Sequence, residues 1–281
     1  MLPIRNAFSI DVEDYFQVSA LAPHFPRDTW DIQACRVERN IDRMLAMLDD
    51  NQARATFFTL GWVAERYPEM VKRIVAGGHE LASHGYGHQR ASDLSPNEFF
   101  DDITRAKKIL EDLGGHPVIG YRAPSFSIGE KNLWALDTLG DAGYLYSSSI
   151  YPIRHDHYGM PNAPRFAFRP TEAKSLLELP ATTIRLFNRN LPAAGGGYFR
   201  LMPYQLSRWL INHVNNTDGQ PCIFYCHPWE IDPDQPRPSG MTLKTRFRHY
   251  VNLGRTESRL RNLLKDFLWG RVDQIFLGTA N

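Results

Sequence analysis

The chain has 281 residues, 43% of them hydrophobic, and its 32 basic and 31 acidic residues give a net charge of +1 at pH 7. This length suits one large α/β domain, because barrels of that class often run to about 250 residues. The balanced charge provides no global field for binding nucleic acid, and no window of about 18 apolar residues predicts a membrane span. The N-terminus lacks an apolar segment of signal-peptide length, so we expect a cytoplasmic protein that is not integral to a membrane.

Strand-like and helix-like patterns alternate along the chain. The predicted strands cover about 7–10, 55–60, 118–121, 176–179, 223–226 and 274–277. The predicted helices cover about 37–48, 68–76, 96–113, 131–140, 204–214 and 257–268. The start of the third helix is the clearest, since Ser95, Pro96 and Glu98 combine a cap, a first-turn proline and a capping-box glutamate. The alternation predicts a parallel sheet, open or closed.

Two histidines, His84 and His88, follow an apolar run in a glycine-rich segment. On one helical turn, residues i and i+4 project from the same face, so both imidazoles could bind one metal ion. The pair alone is weak evidence, because surface helices carry such pairs by chance. A carboxylate cluster at residues 11–14 closes another predicted strand. Two histidines, one carboxylate and an open position are typical of a catalytic divalent metal, above all zinc.

Other polar side chains also follow predicted strands. Asp11, Arg122 and His227 each lie at or just past a strand end. Barrels of the α/β class place their active sites at the carboxyl ends of their strands. These three side chains are therefore candidates for one site.

Four segments occur in order along the chain: DVED, SHGYGH, YRAPS and YCHPW. Together and in this order they resemble the NodB-homology polysaccharide deacetylases of carbohydrate esterase family 4. The stretches DVEDYFQ, GYRAPSFS, GGGYFR and CHPWEID are most similar to the deacetylases associated with exopolysaccharide and exosortase gene clusters. The resemblance covers about residues 7 to 268. It implies a distorted (β/α) barrel of about seven strands. We expect one domain over residues 1–281, with 240–281 a subgroup-specific extension packed on the barrel.

The resemblance also implies a role for each candidate. His84 and His88 would bind the metal, and Asp11 would be the general base. Arg122 would orient the Asp11 carboxylate and keep it ionised. His227 would be the general acid, since histidine titrates near working pH.

The carboxylate ligand of the metal stays open. Asp11 with Glu13 matches a spaced form of the family motif, and Glu13 with Asp14 matches the commoner adjacent form. On an extended strand end, Asp11 and Glu13 share a face while Asp14 points away. The strand geometry therefore favours Glu13 as the ligand, whereas the adjacent form favours Asp14.

Five residues are candidates for contact with substrate. They are Tyr121, Pro124, Tyr198, Trp229 and Arg246. Trp229 would stack on a sugar face, and Tyr198 follows a glycine run suited to a cleft loop. Arg246 lies in the basic C-terminal segment, where lining the cleft and packing on the barrel are equally good interpretations.

The implied function is a metal-dependent amide hydrolase that removes acetyl groups from N-acetylhexosamine units of an exopolysaccharide or its precursor. Its cofactor would be one divalent metal, Zn²⁺ first, with Co²⁺, Ni²⁺ or Mn²⁺ as alternatives. An N-acetylated glycan is the expected substrate, and the exopolysaccharide biosynthesis machinery is the expected partner. A cyclic amide, imide or allantoin-type hydrolase on the same fold is the first alternative. The second is a degenerate carbohydrate-binding protein, which Ser147 makes conceivable because similar sequences have aspartate there.

Overall fold

Strands and helices alternate along the computed structural model, which describes residues 3–155, 158–170 and 176–279. Its strands are β1 (Arg5–Val12), β2 (Thr56–Thr59), β3 (Glu80–Ser83), β4 (Gly120–Tyr121), β5 (Tyr146–Ser147), β6 (Leu177–Glu178), β7 (Thr183–Leu186), β8 (Arg189–Pro192), β9 (Ile223–Cys226) and β10 (Leu268–Gly270). Its α-helices are α1 (Val37–Asp50), α2 (Gly61–Arg66), α3 (Pro68–Ala76), α4 (Pro96–Gly114), α5 (Trp134–Asp141), α6 (Gly196–Leu201), α7 (Tyr204–His213), α8 (Leu243–Tyr250), α9 (Leu253–Asp266) and α10 (Val272–Phe276).

Seven strands form one parallel sheet in the order β9-β1-β2-β3-β4-β5-β6. An eighth strand, β10, pairs in parallel with the start of β1 through residues 5–7. The β7–β8 hairpin is antiparallel and separate from this sheet. Parallel strands with intervening helices confirm the predicted distorted barrel. All the strands of the sheet consequently present their carboxyl ends at one edge.

The alternation of side chains along β1 separates the apolar core from the polar interior of the barrel. Phe8, Ile10 and Val12 lie in the largest apolar cluster, together with residues of α1 and α9. Ser9 and Asp11 point the other way, and both accept hydrogen bonds from the same guanidinium nitrogen inside the barrel. Because successive residues of a strand face opposite sides, one short segment supplies both the core and the site.

The predicted helices over 37–48, 68–76 and 96–113 are confirmed as α1, α3 and α4. The Ser95 hydroxyl accepts from the Glu98 backbone N–H, and the Glu98 carboxylate accepts from the Ser95 N–H at 2.8 Å. Phe99, Ile103 and Leu110 of α4 are buried. The spacing of these buried residues is that of a helix with one face on the sheet.

The predicted strand over 274–277 is wrong, because α10 occupies that region and the strand is β10. A short apolar run cannot be assigned to helix or strand from its pattern alone. Tertiary contacts decide here: the Val272 N–H donates to Thr56 Oγ1 at 2.8 Å, and the Asp273 N–H donates to Glu80 Oε2 at 3.2 Å. Buried side chains thus satisfy the first N–H groups of the helix, as helix termini require.

The C-terminal segment contributes to the sheet itself. Beyond residue 240 it forms α8, α9, β10 and α10, and β10 extends the sheet beside β1. Its status as a subgroup-specific extension stays a prediction. Among the described residues, no helix combines the length and apolarity needed to cross a membrane.

A buried carboxyl group lies at the opposite edge of the sheet from the strand carboxyl ends. Glu80, the first residue of β3, accepts hydrogen bonds from the Tyr146 hydroxyl at 2.9 Å and from Thr56 Oγ1. Burial, followed by the negative charge of Asp273, raises the pKa of Glu80 to about 8. The folded protein therefore holds a proton that the unfolded chain releases near pH 4.5.

We predict that this proton makes stability fall with pH. Between about pH 4.5 and 8 the unfolded state binds fewer protons than the folded state, so the free energy of unfolding decreases as pH rises. Glu80→Gln should flatten this decrease, measured by urea denaturation at pH 5 and pH 8. Exposed Glu69→Gln is the control and should keep the wild-type dependence; an unchanged slope in Glu80→Gln would contradict the prediction.

Candidate active site

Three side chains converge at the carboxyl edge of the sheet: Glu13 after β1, and His84 and His88 after β3. The Glu13 Oε2 atom lies 2.5 Å from His88 Nε2 and 4.0 Å from His84 Nε2. The three ligand atoms all lie within 4.8 Å of one another. No hydrogen bond of normal geometry satisfies the buried Glu13 oxygen among the described residues. This donor set suits a divalent metal.

A loop, not a helix, brings the two histidines together, so the predicted helical turn is wrong. Gly85 has φ +74° and His88 has φ +53°, both left-handed. A Cβ on Gly85 would lie 2.7 Å from Asp102 Oδ2, and that oxygen accepts from the Tyr86 N–H at 3.0 Å. Asp102 of α4 therefore supports the loop from outside. Sequence reasoning missed it, because its position on α4 gives no signal of this contact.

The His84 ring is oriented by the main chain of Arg122. His84 Nδ1 lies 2.8 Å from the Arg122 carbonyl oxygen, which can only accept, so Nδ1 carries the proton. Burial lowers the pKa of His84 to about 4. The ring is therefore neutral near pH 7, with the lone pair of Nε2 directed at the cluster. Such a hydrogen bond behind a histidine is typical of metal ligands.

The Arg122 side chain holds Asp11. Arg122 Nη1 donates to Asp11 Oδ1 at 2.7 Å and to Ser9 Oγ at 2.8 Å. The guanidinium and the carboxylate are both buried, and the guanidinium lies over the Phe58 ring at 4.1 Å. The predicted contact between Arg122 and Asp11 is present. It leaves Asp11 Oδ2 as the oxygen available to other groups.

His227, the residue after β9, lies on the other side of the cluster. Its Nε2 atom is 3.8 Å from Asp11 Oδ2 and 3.8 Å from Glu13 Oε1. Its Nδ1 atom lies 3.5 Å from Glu230 Oε2. Burial by itself lowers the pKa of His227, but the Glu230 carboxylate, then Glu13 and Asp11, outweigh burial and raise it to about 9.

Glu230 is in turn held by a second buried arginine. Arg200 Nε donates to Glu230 Oε1 at 2.8 Å, and Arg200 Nη1 donates to the His249 carbonyl oxygen at 2.6 Å. Burial raises the pKa of Glu230, but the charges of Arg200 and His227 outweigh it and bring it to about 2. The ionised Glu230 therefore faces His227 at neutral pH. Sequence reasoning missed both Arg200 and Glu230, although Glu230 lies three residues after His227.

The Trp229 indole binds the Glu13 carboxylate. Its Nε1 atom donates to Glu13 Oε1 at 3.0 Å. Its ring stacks on those of His227, with centroids 5.1 Å apart, and His249, with centroids 4.4 Å apart. Trp229 is only 5% exposed, so the expected stacking of a sugar on it has no free surface in this structure.

Two other expected substrate contacts are buried. Tyr121 is 1% exposed and packs edge-on against Phe99 and Tyr144. Pro124 is also buried, so neither residue offers a surface to a substrate. Tyr198 is half-buried and Arg246 is exposed on α8, so their contact with substrate stays a prediction.

Asp14 lies outside the cluster, because its carboxylate is occupied by main-chain donors. Its Oδ1 accepts from the Tyr15 N–H at 2.8 Å. Its Oδ2 accepts from the N–H groups of Arg36 at 2.5 Å and Val37 at 2.9 Å. The geometry thus favours Glu13 over Asp14 as the carboxylate of the cluster.

Comparisons with known proteins relate this chain to polysaccharide deacetylases. The family model described as Polysaccharide deacetylase matches residues 28–144, and a domain of unknown function, DUF3473, matches residues 148–277. A peptidoglycan-N-acetylglucosamine deacetylase of Bacillus cereus is 34% identical over 96 residues, which are 34% of this chain and 35% of that protein. This chain thus spans about a third of the length of that relative.

Two solved structures share the fold. One, from Mycobacterium smegmatis and described as a polysaccharide deacetylase, has a TM-score of 0.55 at 20% identity and covers 94% of this chain and 95% of its own. The other, PuuE allantoinase, has a TM-score of 0.60 at 14% identity and covers 96% of this chain and 87% of its own. The chain therefore has the NodB-type barrel fold, and its residues 28–144 match the polysaccharide deacetylase family.

We predict that substitutions of the two adjacent acids separate their roles. Glu13→Gln should weaken metal binding by more than the roughly 10–100-fold that is typical of losing a residue behind the ligands. Asp14→Asn should leave metal affinity near normal but lower the free energy of unfolding by about 1–3 kcal/mol, because an amide cannot accept from all three N–H groups. Metal titration and urea denaturation of both variants measure this. A loss of metal only in Asp14→Asn would reverse the assignment.

Proposed function

We propose that this protein is a metal-dependent N-deacetylase that removes acetyl groups from N-acetylhexosamine units of an exopolysaccharide or its precursor. The observation that carries the proposal is the cluster of the buried Glu13 Oε2 atom with two imidazole nitrogens, all within 4.8 Å of one another, beside which Asp11 and His227 lie. The match of residues 28–144 to the polysaccharide deacetylase family supports it, as do relatives named peptidoglycan-N-acetylglucosamine deacetylase and chitin deacetylase.

Glu13, His84 and His88 would hold the metal. One carboxylate and two neutral imidazoles with an open position form the donor set of many catalytic zinc sites, and Co²⁺, Ni²⁺ or Mn²⁺ could substitute. When bound, the metal would polarise the acetyl carbonyl and lower the pKa of water. Trp229 supports this arrangement, because its N–H binds Glu13 Oε1, while Oε2 faces the two imidazoles.

Asp11 is suited to act as the general base. Arg122 binds Asp11 Oδ1, so the carboxylate cannot rotate freely and Oδ2 stays directed at the cluster. From there Oδ2 can accept the proton that a water molecule loses as it attacks the acetyl carbonyl carbon. A fixed base of this kind contributes about 10²–10⁴-fold to the rate.

His227 is suited to act as the general acid. Its Nε2 atom lies 3.8 Å from Asp11 Oδ2 and 3.8 Å from Glu13 Oε1, so it borders the proposed metal site. A proton from Nε2 would reach the amide nitrogen as the carbon–nitrogen bond breaks, which releases acetate and the sugar amine. Glu230 behind Nδ1 stabilises the protonated ring that this step requires.

The substrate class rests on the resemblance of DVEDYFQ and CHPWEID to deacetylases of exopolysaccharide loci. Half-buried Tyr198 and exposed Arg246 are proposed to contact the glycan. Association with the exopolysaccharide biosynthesis machinery is part of the same proposal.

The test is acetate release from a panel of N-acetylated oligosaccharides, with metal analysis of the same protein. We predict that Asp11→Asn and His227→Ala each lower kcat by about 10²–10⁴-fold while the metal content stays near wild type. The exposed His116→Ala is the matched control. Chelation should abolish the activity, and added Zn²⁺ or Co²⁺ should restore it.

Two results would redirect the proposal. Hydrolysis of cyclic amides or allantoin in place of the glycans would favour the allantoinase-like alternative. Glycan binding without any hydrolysis by metal-loaded protein would identify a degenerate carbohydrate-binding protein.

Because Glu230 raises the pKa of His227, we predict that removing the Glu230 charge changes how the activity depends on pH. His227 must be protonated to act as an acid, so activity should be lost as pH rises through its raised pKa of about 9. Glu230→Gln removes the negative charge and lowers that pKa, so the alkaline limb of the kcat/KM profile should move down by about one pH unit or more. Glu69→Gln is the control. An alkaline limb that stays in place in Glu230→Gln would exclude Glu230 from this role.

A further inference from the structure

A second buried carboxylate lies behind Arg122. Glu178, the last residue of β6, is wholly buried, and its Oε1 atom accepts from the N–H groups of Ser149 at 2.9 Å and Ile150 at 2.8 Å. Residues 148–150 follow the end of β5 and belong to no strand or helix. Buried N–H groups need an acceptor, and here a side chain from the neighbouring strand provides it.

The segment 148–150, to which Glu178 is hydrogen-bonded, also binds the side chain of Arg122. Arg122 Nε donates to the Ser148 carbonyl oxygen at 3.2 Å, and Arg122 Nη2 donates to Ser148 Oγ at 3.1 Å. Ser149 Oγ accepts from the Ala123 N–H at 2.9 Å. Two of the three guanidinium nitrogens are therefore fixed by Ser148, and the third binds Asp11.

We propose that Glu178 is a positioning residue that acts through residues 148–150 on Arg122, and through Arg122 on Asp11. The Glu178 carboxylate fixes the Ser148 acceptors, and these acceptors set the plane of the guanidinium that holds Asp11 Oδ1. The catalytic consequence rests on the proposed role of Asp11 as base. A displacement of about 1 Å at a catalytic group costs on the order of 10²-fold in rate.

Two conservative substitutions separate the reach of Glu178 from its charge. Glu178→Asp keeps the charge but withdraws the oxygen from the Ser149 and Ile150 N–H groups by one methylene. Glu178→Gln loses the charge but keeps an oxygen that can accept from both. Neither change removes much volume, so both variants should fold.

The first readout is the division between kcat and KM on the best oligosaccharide of the panel, with kcat expressed per bound metal. Glu178→Asp should lower kcat by about 10–100-fold at near-normal KM, whereas Glu178→Gln should keep most of the wild-type kcat. Glu80→Asp and Glu80→Gln are matched controls, because Glu80 is a buried carboxyl group at the other edge of the sheet. Both controls should retain wild-type kcat.

The second readout needs no activity. The Arg122 Nε–H group is buried and hydrogen-bonded, so its NMR signal should exchange slowly with solvent. Arg122→Lys, which has no such group, assigns the signal. Wild type and Glu178→Gln should keep the slow exchange, and Glu178→Asp should lose it.

Either of two results overturns the proposal. One is a Glu178→Asp variant with wild-type kcat and a protected Arg122 signal. The other is a Glu178→Gln variant as impaired as Glu178→Asp in both readouts, which would make the charge, and not the reach, the relevant property. If wild type releases no acetate from any glycan, the proposed function fails, and the Arg122 signal alone decides the role of Glu178.

Discussion

The candidate active site depends on one buried cation, the guanidinium of Arg122. Its side chain binds Asp11, Ser9 and Ser148, and its carbonyl oxygen orients His84. A charge removed from water must be paired and hydrogen-bonded, because its desolvation is otherwise not offset. Arg122 therefore ties the strand ends of β1, β3, β4 and β5 to one another, and it fixes both the proposed base and a proposed metal ligand.

A second buried cation, the guanidinium of Arg200, orients the residues beside His227. Arg200 holds Glu230, and Glu230 faces His227. Two arginine–carboxylate pairs thus flank Glu13 and its histidines, and the charges alternate in a region shielded from water. Fixed charges in such a region act more strongly than in solvent and need little reorganisation during a reaction. This arrangement suits the proton transfers proposed for Asp11 and His227.

The site draws on every part of the chain. Asp11 and Glu13 precede both family matches, His84, His88 and Arg122 lie in the deacetylase match, and His227 with its supporting residues lies in the match of unknown function. The latter region also contributes β6, β9 and β10 to the sheet. It completes the barrel and supplies the proposed general acid, so it is part of the same site and not a separate module.

The sequence pattern determined the parallel α/β class, its resemblance to known deacetylases implied the barrel, and together they named most of the candidate site. Periodicity and capping residues placed α1, α3 and α4, and polar residues at strand ends identified Asp11, Arg122 and His227, because parallel strands end at one edge. Tertiary structure decided what depends on distant partners. Asp14 is excluded from the cluster by the N–H groups of residues 36 and 37, and Trp229 is covered by His249. The loop between His84 and His88 needs Asp102, and Glu178 meets Arg122 only through residues 148–150. The local sequence pattern does not predict such contacts, since they depend on which segments the folded chain brings together.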